Sequence, residues 1–81
     1  MLSTKELIEE AKKFCDTEYR TTVMMWNFKH GWYYHNKDMA KTSIQRCLGV
    51  VQFIQTCGVP YEEVNWYDEL REKYQKEFFD I

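Results

Sequence analysis

The residues most capable of chemistry lie close together in the middle of the 81-residue chain. They combine aromatic rings with basic side chains, and they are Lys29, His30, Trp32, Tyr33, Tyr34, His35 and Lys37. Aromatic rings stack on nucleobases, while lysine and protonated histidine bind phosphate groups. Residues 29–37 therefore predict a site for a small anion such as a nucleotide. The alternative interpretation is structural: the three central rings fold back and close the end of a helical bundle, because a small domain needs core volume.

A second cluster of bulky side chains comes just before the first and consists of Met24, Met25, Trp26 and Phe28. Methionine and aromatic residues are adaptable and are frequent at protein interfaces, although at helical spacing they also form cores. Four such residues within five positions cannot all point in one direction, so at least one should lie outside the core of the monomer. We therefore expect an interface here with a protein partner or with a second copy of the chain.

The charge of the chain argues against a general nucleic-acid binder. Its net charge is −2 and its pI is about 5.6, whereas nucleic-acid binders usually present a broad basic face. The charge is nevertheless uneven: residues 19–46 carry +4, residues 1–18 carry −2 and residues 47–81 carry −4. The basic middle either steers an anion toward residues 29–37 or attracts the acidic ends within the fold or within a dimer.

Spacing gives no support to a metal site, a cofactor or a catalytic centre. His30 and His35 are five positions apart and Cys47 and Cys57 are ten apart, unlike the close pairs that ligate zinc. We predict that Cys15 and these two cysteines are reduced and largely buried thiols. No glycine-rich phosphate loop is present, and the carboxylate pairs fall where exposed helix faces explain them. We therefore predict a protein without enzymatic activity, cofactor or metal.

The first element that positions these clusters is a helix predicted over about residues 4–29. Ser3 and Glu6 form a capping box at its start, and Leu2 and Leu7 are placed as a hydrophobic staple. Residues 21–28 favour strand by propensity, which leaves a strand as the alternative for that part. Gly31 is predicted to end the helix in a left-handed conformation.

The second helix, predicted over about residues 37–57, is the one around which the chain is organised. Its apolar positions cover most of its circumference, so it should be buried on more than one side. Gly49 inside it predicts the close approach of another backbone or of a bulky ring. Gly58 and Val59 predict the stop, with Val59 packed back on the helix.

The third helix is predicted over about residues 60–79, with Pro60 as its first helical residue. One apolar stripe runs along it and consists of Val64, Tyr67, Leu70, Tyr74 and Phe78. The chain thus predicts an all-α fold in one domain, residues 1–81: a small antiparallel three-helix bundle with a largely buried second helix. The chain has no apolar run long enough for a membrane helix and no apolar signal-peptide core, so we predict a cytoplasmic protein.

These observations predict a small non-enzymatic interaction module that binds a protein partner or itself through residues 24–34. A binder of a small anion through residues 29–37 is the alternative, and a nucleic-acid binder is the second alternative. No family is recognised from the residues. Small helical chains of this style are associated with regulators and inhibitors of phages and mobile elements.

Overall fold

A computed structural model describes residues 2–80, and the regular structure within them is entirely helical. Three helices pack against one another: α1 (Thr4–Trp26), α2 (Lys37–Thr56) and α3 (Trp66–Tyr74). A short 3₁₀ turn, Gly31–Tyr33, lies between α1 and α2, and another, Tyr61–Glu63, lies between α2 and α3. A π-helical turn, Gln75–Phe79, continues α3.

Local signals at the start of α1 work as predicted, but the helix ends earlier than expected. The Glu6 backbone N–H donates to Ser3 Oγ at 3.2 Å, and the Ser3 N–H donates to Glu6 Oε1 at 3.3 Å. At the other end, the Asn27 side chain donates from Nδ2 to the carbonyl oxygen of Val23 at 2.9 Å and caps the helix. The helix therefore stops at Trp26 instead of Lys29. The strand alternative for residues 21–28 is wrong, because residues 21–26 are helical.

The predicted stop of α2 is confirmed in detail. Gly58 has a left-handed backbone with φ of +99°, and its N–H donates to the Gln55 carbonyl at 3.0 Å. The Val59 N–H donates to the Ile54 carbonyl at 3.2 Å, and the Val59 side chain is buried. These two bonds form the Schellman motif, which satisfies carbonyls that the helix itself leaves unpaired.

The predicted burial of α2 over most of its circumference is not confirmed. Its buried residues are Met39, Ala40, Ser43, Cys47, Val51 and Ile54. Phe53 is 64% exposed and Leu48 is 36% exposed. A Cβ atom built on Gly49 would meet nothing within 4 Å, so the predicted close approach at this glycine is wrong. The physical reason is that the buried positions recur mostly at intervals of three or four residues and so form one side of α2, the side that α1 and α3 cover.

The third helix is not continuous from residue 60. Pro60 is extended, with ψ of 156°, and precedes the 3₁₀ turn instead of opening an α-helix. Val64 and Asn65 separate that turn from α3. The break turns Val64 fully into the core, with its N–H donating to the Tyr61 carbonyl at 2.9 Å. The apolar stripe itself is confirmed, since all five of its residues are buried.

Aromatic rings and thiols fill the core between the helices. The Phe78 ring lies 4.9 Å from the Trp26 ring and 5.3 Å from the Tyr74 ring, measured between centroids. Cys15 on α1 and Cys47 on α2 are completely buried, whereas Cys57 is exposed, so the expectation of burial is wrong for Cys57. Among residues 2–80, no helix combines the length and apolar character that crossing a membrane requires.

Candidate interaction surface

Hydrogen bonds from its own backbone and from the Asn36 side chain fix the connection between α1 and α2, residues 27–36. The His35 N–H donates to the Trp26 carbonyl at 3.1 Å, which closes the connection back onto the end of α1. Asn36 Nδ2 donates to the Trp32 carbonyl at 3.0 Å. Its Oδ1 accepts from the N–H groups of Asp38 and Met39 and caps α2. The connection is therefore held in one conformation at both ends.

His35 is the most constrained residue of this connection. Its φ is +50°, a left-handed conformation that costs a residue with a Cβ about 1–2 kcal/mol. Its ring stacks on the Tyr34 ring, with centroids 4.1 Å apart and planes at 11°, and on the Trp26 ring at 5.0 Å and 27°. The three stacked rings and the hydrogen bond to Trp26 hold the strained turn in place.

The structure separates the predicted site residues into a buried anchor and an exposed set. Trp26 is buried, at 3% exposure, and Met25 is half-buried. The exposed set, which we call the aromatic surface, consists of Met24 (67%), Phe28 (55%), Trp32 (62%), Tyr33 (40%) and Tyr34 (42%). The expectation that part of the 24–28 cluster lies outside the core is thus confirmed. The interpretation in which the three central rings close the end of the bundle stays a prediction: each ring is 40–62% exposed, but Tyr34 stacks on His35, which in turn stacks on the buried Trp26.

Basic side chains accompany these rings. Lys29, His30, His35 and Lys37 are all exposed, and the His30 ring lies edge-on to the Phe28 ring at 5.7 Å. Exposed rings and basic residues that are neighbours in sequence offer apolar contact and positive charge within one segment of the chain. This combination suits a partner that carries both apolar and acidic groups.

A groove that sequence reasoning did not identify lies between α1 and α2, next to the connection. Its volume is about 330 Å³, and its walls include Met25, Met39, Trp32 and Tyr33. At its polar end Arg46 Nη1 contacts Glu18 Oε1 at 3.2 Å. The sequence indicates one wall of this groove through the spacing of Glu18, Thr21 and Met25, because residues three and four apart share a helix face. What spacing alone does not reveal is that no other part of residues 2–80 covers this face.

The hydrogen bond between the two buried thiols shifts their pKa values in opposite directions: it lowers the pKa of Cys47, and burial acts against that shift. The hydrogen bond to Cys47, together with burial, raises the pKa of the Cys15 thiol. A raised pKa keeps the sulfur protonated and unreactive near neutral pH. Within the described residues, no group of three or more histidine, cysteine, aspartate or glutamate side chains is arranged to hold a metal ion.

Comparisons of the chain with protein-family models, with curated proteins and with solved structures found no match. The assignment of a function therefore rests on the geometry of the aromatic surface and of the groove.

Proposed function

We propose that this protein is a small, non-enzymatic interaction module that binds a protein partner through the aromatic surface. One observation carries the proposal: five large apolar side chains within residues 24–34 are exposed, between 40% and 67% each. Scattered exposed apolar residues need no explanation, but a concentrated set on a small domain is typical of a contact surface.

The chemistry of the surface favours a protein with acidic and apolar side chains as its partner. Tryptophan, tyrosine, phenylalanine and methionine are enriched at protein interfaces and supply much of the binding energy. The neighbouring Lys29, His30 and Lys37 provide a basic rim, which speeds association with an acidic partner. The surface is open, as protein contact surfaces are, and not an enclosed pocket.

Two observations favour this proposal over the binding of a small anion. The rings of Tyr34 and His35 already stack on each other, which removes one face of each ring from base stacking. In the nearby groove the Arg46 guanidinium already pairs with the Glu18 carboxylate, which weakens its attraction for a small free anion. The net charge of −2 in turn weakens the case for nucleic acid.

The proposal also takes the helices to be arranged as an antiparallel bundle. Two polar contacts join α1 to α2: the Thr22 hydroxyl contacts the Ser43 hydroxyl, and Glu18 contacts Arg46. Residue numbers therefore fall along α1 as they rise along α2, which supports opposite directions. In this arrangement both ends of the connection lie at one end of the bundle, where the aromatic surface is presented to a partner.

The proposal is tested by selecting peptides from a random phage-displayed library on the immobilised full chain. We expect selected peptides to combine acidic residues with apolar ones. Trp32→Ala and Phe28→Ala should each weaken their binding by about tenfold or more, because truncation of central aromatic residues is costly at interfaces. Leu48→Ala, at an exposed apolar position on α2, is the matched control and should bind as the wild type does.

The outcome against the proposal is an absence of enrichment, or peptides that bind Trp32→Ala as tightly as the wild type. A parallel titration with a nucleotide panel, followed by tryptophan fluorescence, tests the small-anion alternative. A saturable, salt-sensitive change in fluorescence that is lost in Trp32→Ala would show that the ligand is a nucleotide and not a protein partner.

A further inference from the structure

Beyond the aromatic surface, a second face runs along α1 and α2 and is exposed at Phe14, Arg46 and Phe53. On α1 it follows the groove residues Glu18, Thr21 and Met25 and extends one turn back to Phe14, at intervals of four, three and four residues. On α2 it runs from Met39 through Arg46 to Val50 and Phe53 at the same kind of spacing. Residues at these intervals lie on one side of a helix. Each helix thus contributes one row, and we call the two rows together the groove face.

The two ends of the groove face differ in shape. One end is concave, because the groove of about 330 Å³ lies there between Met25, Met39 and the rings of the connection. The other end carries two exposed rings, since Phe14 is 42% exposed and Phe53 is 64% exposed. A phenylalanine exposed this far has no role in the core of the monomer. The face therefore carries both a hole and a side chain able to fill it.

The positions of these features match a two-fold axis. Met39 and Phe53 are 14 residues apart on α2, which corresponds to about 21 Å along a helix. Arg46 lies at the midpoint between them. A two-fold axis that lies in the plane of the face and crosses α2 at Arg46 therefore places Phe53 of each copy at the groove of the other copy. An isologous contact requires this kind of self-complementarity.

Charge at the centre of the face fits the same arrangement. The Arg46 side chain is 63% exposed, and its contact to Glu18 uses Nη1. A guanidinium has five N–H donors, so Arg46 can also bind the Glu18 carboxylate of a second copy in a crossed packing of the helices. The central charges of two copies would then form a closed set of two arginines and two glutamates.

We propose that a second copy of this chain covers the groove face and forms a two-fold dimer with a core built from α1 and α2 of both copies. A face two helices wide, about 20 Å, and about 21 Å long has roughly 420 Å² of projected area. This is smaller than the about 800 Å² per partner of a standard interface, which is why we expect a dimer that dissociates on dilution. Trp32 and Tyr33 of the aromatic surface also line the groove, so the two surfaces meet there. The dimer proposal nevertheless does not rest on the proposed function, because Phe14, Arg46 and Phe53 lie outside the aromatic surface.

Sedimentation velocity on the full chain across a concentration series tests the dimer. The wild type is expected to sediment as a dimer that dissociates on dilution. Phe53→Asp and Arg46→Glu should each raise the dimer dissociation constant by about tenfold or more, because truncated anchors and unpaired charges at interface centres are costly. The exchange Glu18→Arg with Arg46→Glu restores the opposite charges and should restore the dimer. Leu48→Asp replaces an exposed apolar residue on another side of α2 and is the matched control.

Circular dichroism of each variant confirms that it remains helical. A wild type that is monomeric at every concentration overturns the dimer, and so does a folded Phe53→Asp that dimerises as the wild type does. A dimer lost in Trp32→Ala but kept in both Phe53→Asp and Arg46→Glu would place the contact on the aromatic surface and overturn the groove face. A monomer that still binds the selected peptides would leave the proposed function intact.

Discussion

Three hydroxyl groups form a buried chain of hydrogen bonds between the helices, and their order is determined by the first of them. The Thr22 hydroxyl donates its proton to the Glu18 carbonyl at 2.7 Å, so its oxygen accepts from the Ser43 hydroxyl at 2.7 Å. Because the Ser43 hydroxyl donates its proton to Thr22, its oxygen accepts a hydrogen bond from the Tyr74 hydroxyl at 2.7 Å. One residue from each of α1, α2 and α3 is therefore joined in a single directed network.

This order predicts unequal costs for two substitutions. Tyr74→Phe removes the terminal donor and should cost about 1 kcal/mol of the free energy of unfolding, the usual net value of one hydrogen bond. Ser43→Ala leaves the buried Tyr74 hydroxyl without its acceptor and should cost about 2 kcal/mol. Urea denaturation followed by circular dichroism measures both. Thr42→Ala, which removes an exposed hydroxyl, is the control and should change stability by less than about 0.5 kcal/mol. Equal losses for the two core variants would contradict the proposed direction of the network.

At the scale of the elements, the glycine inside α2 and the glycine that follows the helix have opposite roles. Gly49 lies inside the helix with open space around its α-carbon, and nothing there requires a glycine. Gly58 has a φ of +99°, a conformation that residues with a Cβ rarely adopt, and it ends the helix. One glycine weakens α2, whereas the other is needed for the Schellman motif.

Gly49→Ala should therefore raise the free energy of unfolding by about 1 kcal/mol, the difference in helix propensity between alanine and glycine. Gly58→Ala should lower it by about 1–2 kcal/mol, because the alanine must take a left-handed conformation. Thermal unfolding of the two variants beside the wild type measures both effects, and a change of this size corresponds to a melting-temperature shift of about 4–8 °C per kcal/mol. A destabilised Gly49→Ala would mean that some contact at this position does require a glycine.

At the scale of the whole molecule, buried phenols couple folding to alkaline pH. Burial raises the pKa values of Tyr19, Tyr67 and Tyr74 above the ordinary value of 10. Above pH 10 the unfolded chain loses these protons before the native protein does. The unfolded state then binds fewer protons than the native state, so stability falls as pH rises.

The free energy of unfolding should therefore be steady below pH 10 with respect to these three groups and should decline above it. Tyr74→Phe removes one of the three and should make the decline shallower, even though the variant starts from a lower stability. Urea denaturation at a series of pH values from neutral to alkaline tests this, with the exposed Tyr33→Phe as control. Parallel pH profiles for the wild type and Tyr74→Phe would show that Tyr74 does not contribute.

The sequence by itself determined the features that depend on neighbours within one turn of the chain. Ser3 with Glu6 starts α1, and Gly58 with Val59 stops α2, because each of these caps is completed by backbone groups a few residues away. The buried stripe of α3 could also be predicted from the sequence, since one periodic row of apolar residues has only one side to bury. The placement of an interaction surface on residues 24–37 comes from a surplus of bulky and basic side chains, and it stays a prediction.

Only the tertiary structure decided which of those side chains are covered. Trp26 is buried because Phe78 packs against it from the far end of the chain, whereas Trp32 and Phe53 meet no such neighbour and stay exposed. The groove likewise exists because α1 and α2 lie side by side beneath the connection, with no third helix over this face. A side chain is buried when a residue distant in sequence packs against it. The composition and the hydrophobic periodicity of a segment describe that segment alone and do not identify its distant neighbour.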